Sequence, residues 1–221
     1  QQLFEDVYYV RGSVIMMPLV RLTRNMTILR HDGKLTLINS VRLDDAGRAE
    51  LDALGTVENI VRIGMHGMDD AWYVGEYGAT LWSLPGVTHA HDQEAGQTLS
   101  DNNLPVPGLR LFQFELTEIP ECALLLEKEG LLITCDSVQN WEDTEGCSIP
   151  AKVITRAFGF MKPAQIGPPW KKRQTPEGGS LKPDFERMLA LDFRHLMSGH
   201  GNPLRDEAKA MLEKTIQREF A

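Results

Sequence analysis

Apolar and polar positions alternate in short runs over the first third of the chain and shift to helical spacing towards its end. "DVYYV" (6–10) reads as a short strand. "NMTILRHDGKLTLINS" (25–40) reads as two apolar strands around Asp32-Gly33, because glycine accepts the positive φ that a tight hairpin needs. "RLDDAGRAELDALG" (42–55) predicts a helix, with Asp44 or Asp45 as its cap, Leu51 and Leu54 on its apolar stripe and Gly55 at its end. "NIVRI" and "ATLWSLPG" are further short strands, and Val87 to Pro107 reads as a long polar loop. "LRLFQFEL" and "CALLLEKEGLLITCD" predict three strands, the last two joined by a hairpin at Glu129-Gly130. Asn140 to Ser180 is rich in Pro, Gly and charge, with one short helix near "AKVITRAFGF". "KPDFERMLALDF" reads as a helix and "HLMSGHG" as a strand ending in a glycine-flanked histidine. The last helix, "PLRDEAKAMLEKTIQREF", has Pro203 in its first turn and Ala208, Met211, Leu212 and Ile216 on one face.

This order predicts an α/β fold of two similar β-rich halves, with sheets face to face and helices outside. At 221 residues the chain suits a single domain, 1–221, with a core large enough to need no disulfide or metal for folding. A net charge of −8 argues against nucleic acid or an anionic membrane as a main partner. The one basic cluster, "WKKR" (170–173), reads as a solvated loop. Three cysteines without paired spacing fit a reducing compartment, so the expected location is cytoplasmic. There is no membrane-length apolar run.

Candidate chemistry lies where strands end, because a rigid strand aims the side chain and the following loop leaves it open. Three such places carry metal-competent groups: "GMHGMDD" after "NIVRI", "CDSVQNW" after "LLIT", and "SGHG" after "HLM". In order and spacing these stretches resemble the metallo-β-lactamase superfamily. That resemblance implies a four-layer αββα sandwich. It also implies two metal sites, built from an H-x-H-x-D-H loop, a lone His, a bridging Asp and a final His in a "GHG"-like turn.

The departures from that pattern are as informative as the match. Met65 and Gly67 stand where the first two histidines would be, and no histidine stands in "ELTEIPECALLL" for the lone one. Asp69 matches the loop's Asp, Asp70 replaces its last His, Asp136 matches the bridging Asp and His200 the final His. The set implied is Asp69, Asp70, Asp136 and His200, with His66 as a further ligand if the loop is shifted by one residue. Asp69 and Asp136 are the catalytic candidates. Two readings stay open. In one, at most one divalent ion (Zn, Fe or Mn) activates water for ester- or thioester-type hydrolysis of a small molecule. In the other there is no metal, and the fold is a non-catalytic binder of a ligand or partner.

Blander roles exist for each residue. Aspartates favour turns and helix caps, and a lone loop histidine is more often structural than a ligand. His89 and His91 in "THAHDQE" have H-x-H spacing but lie beyond the strand where the motif ought to start, so they read as a surface or substrate-side loop. Cys135, beside an acid on an apolar strand, reads as a buried structural thiol. Trp72, Tyr73, Trp141 and Trp170 read as core and rim packing before pocket lining.

Overall fold

The structure is a computed structural model that describes residues 1–87 and 94–221. β1 (Gln2–Phe4), β2 (Val7–Met17), β3 (Val20–His31) and β4 (Lys34–Ile38) form an antiparallel meander. α1 (Asp45–Leu54) crosses to β5 (Thr56–Arg62), and α2 (Asp70–Tyr77) to β6 (Thr80–Ser83). With β7 (Gln97–Thr98) these strands extend the same sheet in parallel to seven strands. β8 (Leu109–Gln113), β9 (Cys122–Leu126) and β10 (Leu131–Thr134) open the second half. There follow β11 (Val138–Gln139), α3 (Ile149–Ala157), β12 (Gln165–Ile166), α4 (Pro168–Gln174), α5 (Lys182–Leu189), β13 (His195–Ser198) and α6 (Ala208–Glu219). The second sheet has four strands in the order β13-β10-β9-β8, and β11 and β12 form a small pair of their own.

Period-two alternation stacks these sheets. In the larger sheet Leu29, Ile38 and Val61 face the other sheet, where Leu124, Leu131, Ile133 and Met197 meet them. Their sequence neighbours Ile28, Leu37 and Ile60 point the other way, onto Leu51 of α1 and Tyr73 of α2. In the smaller sheet Leu125, Leu132 and Leu196 turn outward, under Trp170 of α4, Phe185 and Met188 of α5, and Leu212 and Ile216 of α6. The result is the αββα sandwich. Strands buried on both faces explain why "CALLL" and "LLIT" are unbroken apolar runs instead of alternating ones.

Local signals account for several boundaries. His31 pairs with Lys34 across Asp32-Gly33, both at positive φ, as a two-residue hairpin turn demands. The Asp44 carboxylate accepts the Gly47 N–H at 2.8 Å and so caps α1.

Other boundaries differ from the pattern. The halves are unequal, because β2 runs on to Met17 and pairs with β3 along nearly its whole length. α6 begins at Ala208, not near Pro203, because Leu204 exchanges backbone hydrogen bonds with Leu196 and holds that stretch extended against β13. The basic cluster belongs to a helix, α4: Trp170 and Gln174 are buried, Lys172 and Arg173 face outward, and Lys171 is half-buried against Glu219. α2 occupies a stretch to which the pattern assigned no element. The long segment 87–107 contains β7, and His89 and His91 lie outside the described residues.

Candidate metal centre

β10 and β13 are parallel neighbours with Thr134 opposite Ser198. Two residues past each, at the same end of the sheet, stand Asp136 and His200. Register alone therefore brings together two groups far apart in the chain. The larger sheet closes onto this end. Asn25 on β3 donates its amide to the carbonyls of Ser198 and Gly201, and Asn39 donates to that of Thr134. His66, from the segment between β5 and α2, completes the group.

The Asp136 carboxylate lies between two imidazoles. His200 Nε2 is 3.3 Å from Oδ1 and His66 Nε2 is 3.4 Å from Oδ2. The rings meet edge to face with centroids 4.7 Å apart. Gly199 makes room for this: a Cβ there would stand 3.0 Å from the His66 ring and 3.1 Å from the Cys135 carbonyl. Burial works to raise the Asp136 pKa. The positive character of His66 and the hydrogen bonds from His200 and His66 outweigh it and hold the carboxyl well below its usual range.

Each member is oriented by a partner behind it. His200 Nδ1 is 2.5 Å from the Thr23 carbonyl, which can only accept, so that nitrogen carries hydrogen and Nε2 faces Asp136. Trp141 stacks on the His200 ring, and its indole N–H donates to Gln139 Oε1 at 2.8 Å. Gln139 in turn donates to Asp136 Oδ1 at 3.1 Å. His66 Nδ1 is buried without a hydrogen-bond partner.

Among the described residues, His66, Cys135 and Asp136 have donor atoms within 4.8 Å of one another. Cys135 is buried in the core and also borders this group. Burial first, then the charges of Asp136 and Glu121, push its thiol well above the ordinary value, against the backbone N–H groups of His66 and Met65. Glu121 lies beneath, fully buried and pushed up to about 8 by desolvation and by Asp136, so it is neutral at pH 7. Trp170 Nε1–H donates to its Oε2 at 2.7 Å, and Oε1 has no hydrogen-bond partner.

Asp69 and Asp70 stand outside that cluster. Asp69 Oδ2 is bonded to the Arg24 guanidinium and accepts the Arg42 backbone N–H at 3.0 Å. Asp70 is buried and accepts from the Ser40 hydroxyl at 2.6 Å. Burial raises its pKa against that bond and the charges of Arg62 and Arg24. These two carboxylates tie the start of α2 to β3 and to the turn after β4. Sequence reasoning missed Thr23 and Glu121 as parts of the site; Gln139 and Trp141 lay in the candidate stretch "CDSVQNW", where Trp141 read first as packing. Glu121 left a weaker trace, as an acid directly before five buried residues, "CALLL".

The fold superposes on solved structures. A metallo-β-lactamase from Erythrobacter litoralis matches with a TM-score of 0.65 and 13% identity, over 99% of this chain and 91% of that one. The chain has the metallo-β-lactamase fold. A metallo-β-lactamase family protein from Thermus thermophilus matches with a TM-score of 0.64 and 18% identity, over 99% and 81%. The metallo-β-lactamase FIM-1 from Pseudomonas aeruginosa, in its mono-zinc form, matches with a TM-score of 0.62 and 12% identity, over 99% and 94%. No family model matches the chain, and no curated protein matches its sequence. At these identities the likeness shows the metallo-β-lactamase fold; the donor set has to be argued from this chain's own residues.

Proposed function

We propose that the chain is a hydrolase-like protein of the metallo-β-lactamase fold with a single divalent-ion site centred on His66, Cys135 and Asp136, with His200 beside it at Asp136 Oδ1. The spacing around Asp136 carries this reading. Imidazolium–carboxylate hydrogen bonds close to about 2.7–2.9 Å. The separations here, 3.3 and 3.4 Å, are longer. His66, Cys135 and Asp136 each place a donor atom within 4.8 Å of the other two, a spacing that one ion can draw together, with His200 beside them at the other Asp136 oxygen.

Two imidazoles, a carboxylate and a nearby thiol make a softer set than the oxygen-rich one suggested by the sequence pattern, and they suit zinc above magnesium or calcium. FIM-1, a fold neighbour crystallised with one zinc, is consistent with single-ion occupancy on this architecture. When bound, the ion would supply a Lewis acid that brings a water's pKa towards neutrality. The protein's own part is orientation. The Thr23 carbonyl fixes the His200 tautomer, and Gln139, steered by Trp141, holds one Asp136 oxygen. Arg24 keeps Asp69 neutralised and away from this work.

The metal-free binder remains the second reading, favoured by one observation: two imidazoles already stabilise the Asp136 anion without an ion. Elemental analysis of protein purified without added metal, followed by zinc titration, separates the two. One equivalent bound, and lost in Asp136→Ala and His200→Ala, supports the single-ion site. Failure to bind zinc or cobalt at pH 7.5 overturns it in favour of the binder.

A further inference from the structure

Ten large apolar side chains are exposed among the described residues, and seven of them lie on two neighbouring elements. Ile15, Met16, Met17 and Leu19 form the tip of the β2–β3 hairpin, with Leu19 83 % exposed. Ile149, Val153 and Phe158 belong to α3 and its C-terminal cap, with Ile149 78 % exposed. Ser148 ties the two elements together. Its hydroxyl donates to the Leu19 carbonyl at 2.7 Å and accepts the Arg21 N–H at 3.1 Å, and its own N–H donates to the Arg21 carbonyl at 3.0 Å. Beneath, Val20 packs with Trp141, Cys147 and Ala151. The inner face of α3 is thus satisfied by Ala151 and Thr155. Its outer face repeats apolar residues one turn apart, Ile149 and Val153, where a solvated helix would be polar. Monomers rarely leave so many adjoining apolar groups open to water.

Charge tells what the patch fits. Residues 13–22 and 146–164 contain four cations, Arg21, Lys152, Arg156 and Lys162, and no acidic residue, in a chain whose net charge is −8. The nearby acid Asp143 is engaged by the Glu145 N–H, Asn202 and Arg11. Glu145 lies at the same rim and is exposed. A second copy of this acidic chain would meet the patch with the same cations and would have to bury them against one another. An anionic lipid surface satisfies both halves, taking the apolar tips below its headgroups and pairing the cations with phosphates.

Against the expectation from the chain's overall charge, we infer that the locally basic β2–β3 tip and α3 form a peripheral docking surface for an anionic membrane. This differs from a spanning segment, since no described helix is long and apolar enough to cross a bilayer. It stands independently of the metal site. It would nonetheless set near the lipid a cleft of about 640 Å³ whose walls carry both signs of charge, Arg11 and Arg21 against Asp143 and Glu145.

The test is co-sedimentation of the whole chain with vesicles of phosphatidylglycerol and phosphatidylcholine, against phosphatidylcholine alone, with light scattering to report oligomeric state. The expected result is binding to the anionic vesicles that 0.5 M salt weakens. Leu19→Ser with Met16→Ser, and Lys152→Glu with Arg156→Glu, should each reduce it about tenfold or more. Met16, Leu19 and Arg156 are exposed and Lys152 is half-buried, so matched melting curves check the fold. Equal partition into neutral vesicles overturns the inference, as does absence of binding. So does a dimer that Leu19→Ser dissociates in a chain that ignores vesicles.

Discussion

Asp69 and Asp136 are both carboxylates in loops that follow core strands, yet their surroundings are opposite. Asp69 faces a guanidinium from β3 and a backbone N–H, so its charge is matched by permanent protein donors. Asp136 faces two imidazoles at distances longer than charge-assisted hydrogen bonds, and an amide. The first corner is finished; on the single-ion proposal the second is where a cation would sit. An acidic residue at a family position is thus a weak guide to a metal; what already neutralises it decides.

Breaking the first corner should have the largest effect. Arg24 is nearly inaccessible, so Asp69→Ala leaves a buried guanidinium without its partner, which costs about 3–5 kcal/mol. Chemical denaturation should show that loss while zinc stoichiometry stays at one. Loss of zinc with unchanged stability would reverse the roles assigned to the two corners.

The reciprocal change is Asp136→Asn, which keeps the shape and removes the charge. Zinc affinity should fall about 100-fold or more in competition titrations. Added zinc should then no longer raise the melting temperature, because that rise reflects binding to the native state. An unchanged affinity would leave the other donors holding zinc without the carboxylate and would remove Asp136 from the set.

Much of the fold was legible because its cause is local. Unbroken apolar runs mark strands buried on both faces, and Asp32-Gly33 marks its own hairpin. α2 was not legible: "DDAWYVGEY" carries one deeply buried apolar side chain, Tyr73, and an acid, Asp70, on its inner side, so no apolar stripe announces it. α4 was hidden by two prolines and three cations over a single buried indole. At the site, strand ends pointed to Asp136 and His200, but their meeting depends on the β10–β13 register. That Arg24 takes Asp69 depends on packing across 45 residues, which no spacing rule encodes.

Glu121 sharpens the comparison from below. Its folded pKa is about 8 against an ordinary 4.5, so between those values the native state holds a proton that the unfolded state has released. Stability therefore falls as pH rises from about 4.5 to about 8, by up to tenfold in the folding equilibrium per unit. Glu121→Gln keeps an acceptor for the Trp170 indole and should flatten that slope in denaturation curves taken from pH 5 to 8. A slope that survives the substitution would assign the proton to another group.

The smallest effect probes how the second corner is held. Trp141→Phe keeps a ring to stack on His200 and deletes the N–H that steers Gln139 towards Asp136. A partner behind a ligand is commonly worth 10–100-fold in metal affinity, and a group one step further back should be worth less. Zinc binding should therefore weaken about three- to tenfold in Trp141→Phe and more in Gln139→Ala. Because Trp141 acts through Gln139, the double variant should bind zinc no more weakly than Gln139→Ala alone. If the two losses multiply instead, the indole supports the site through its stacking on His200 and the amide acts separately.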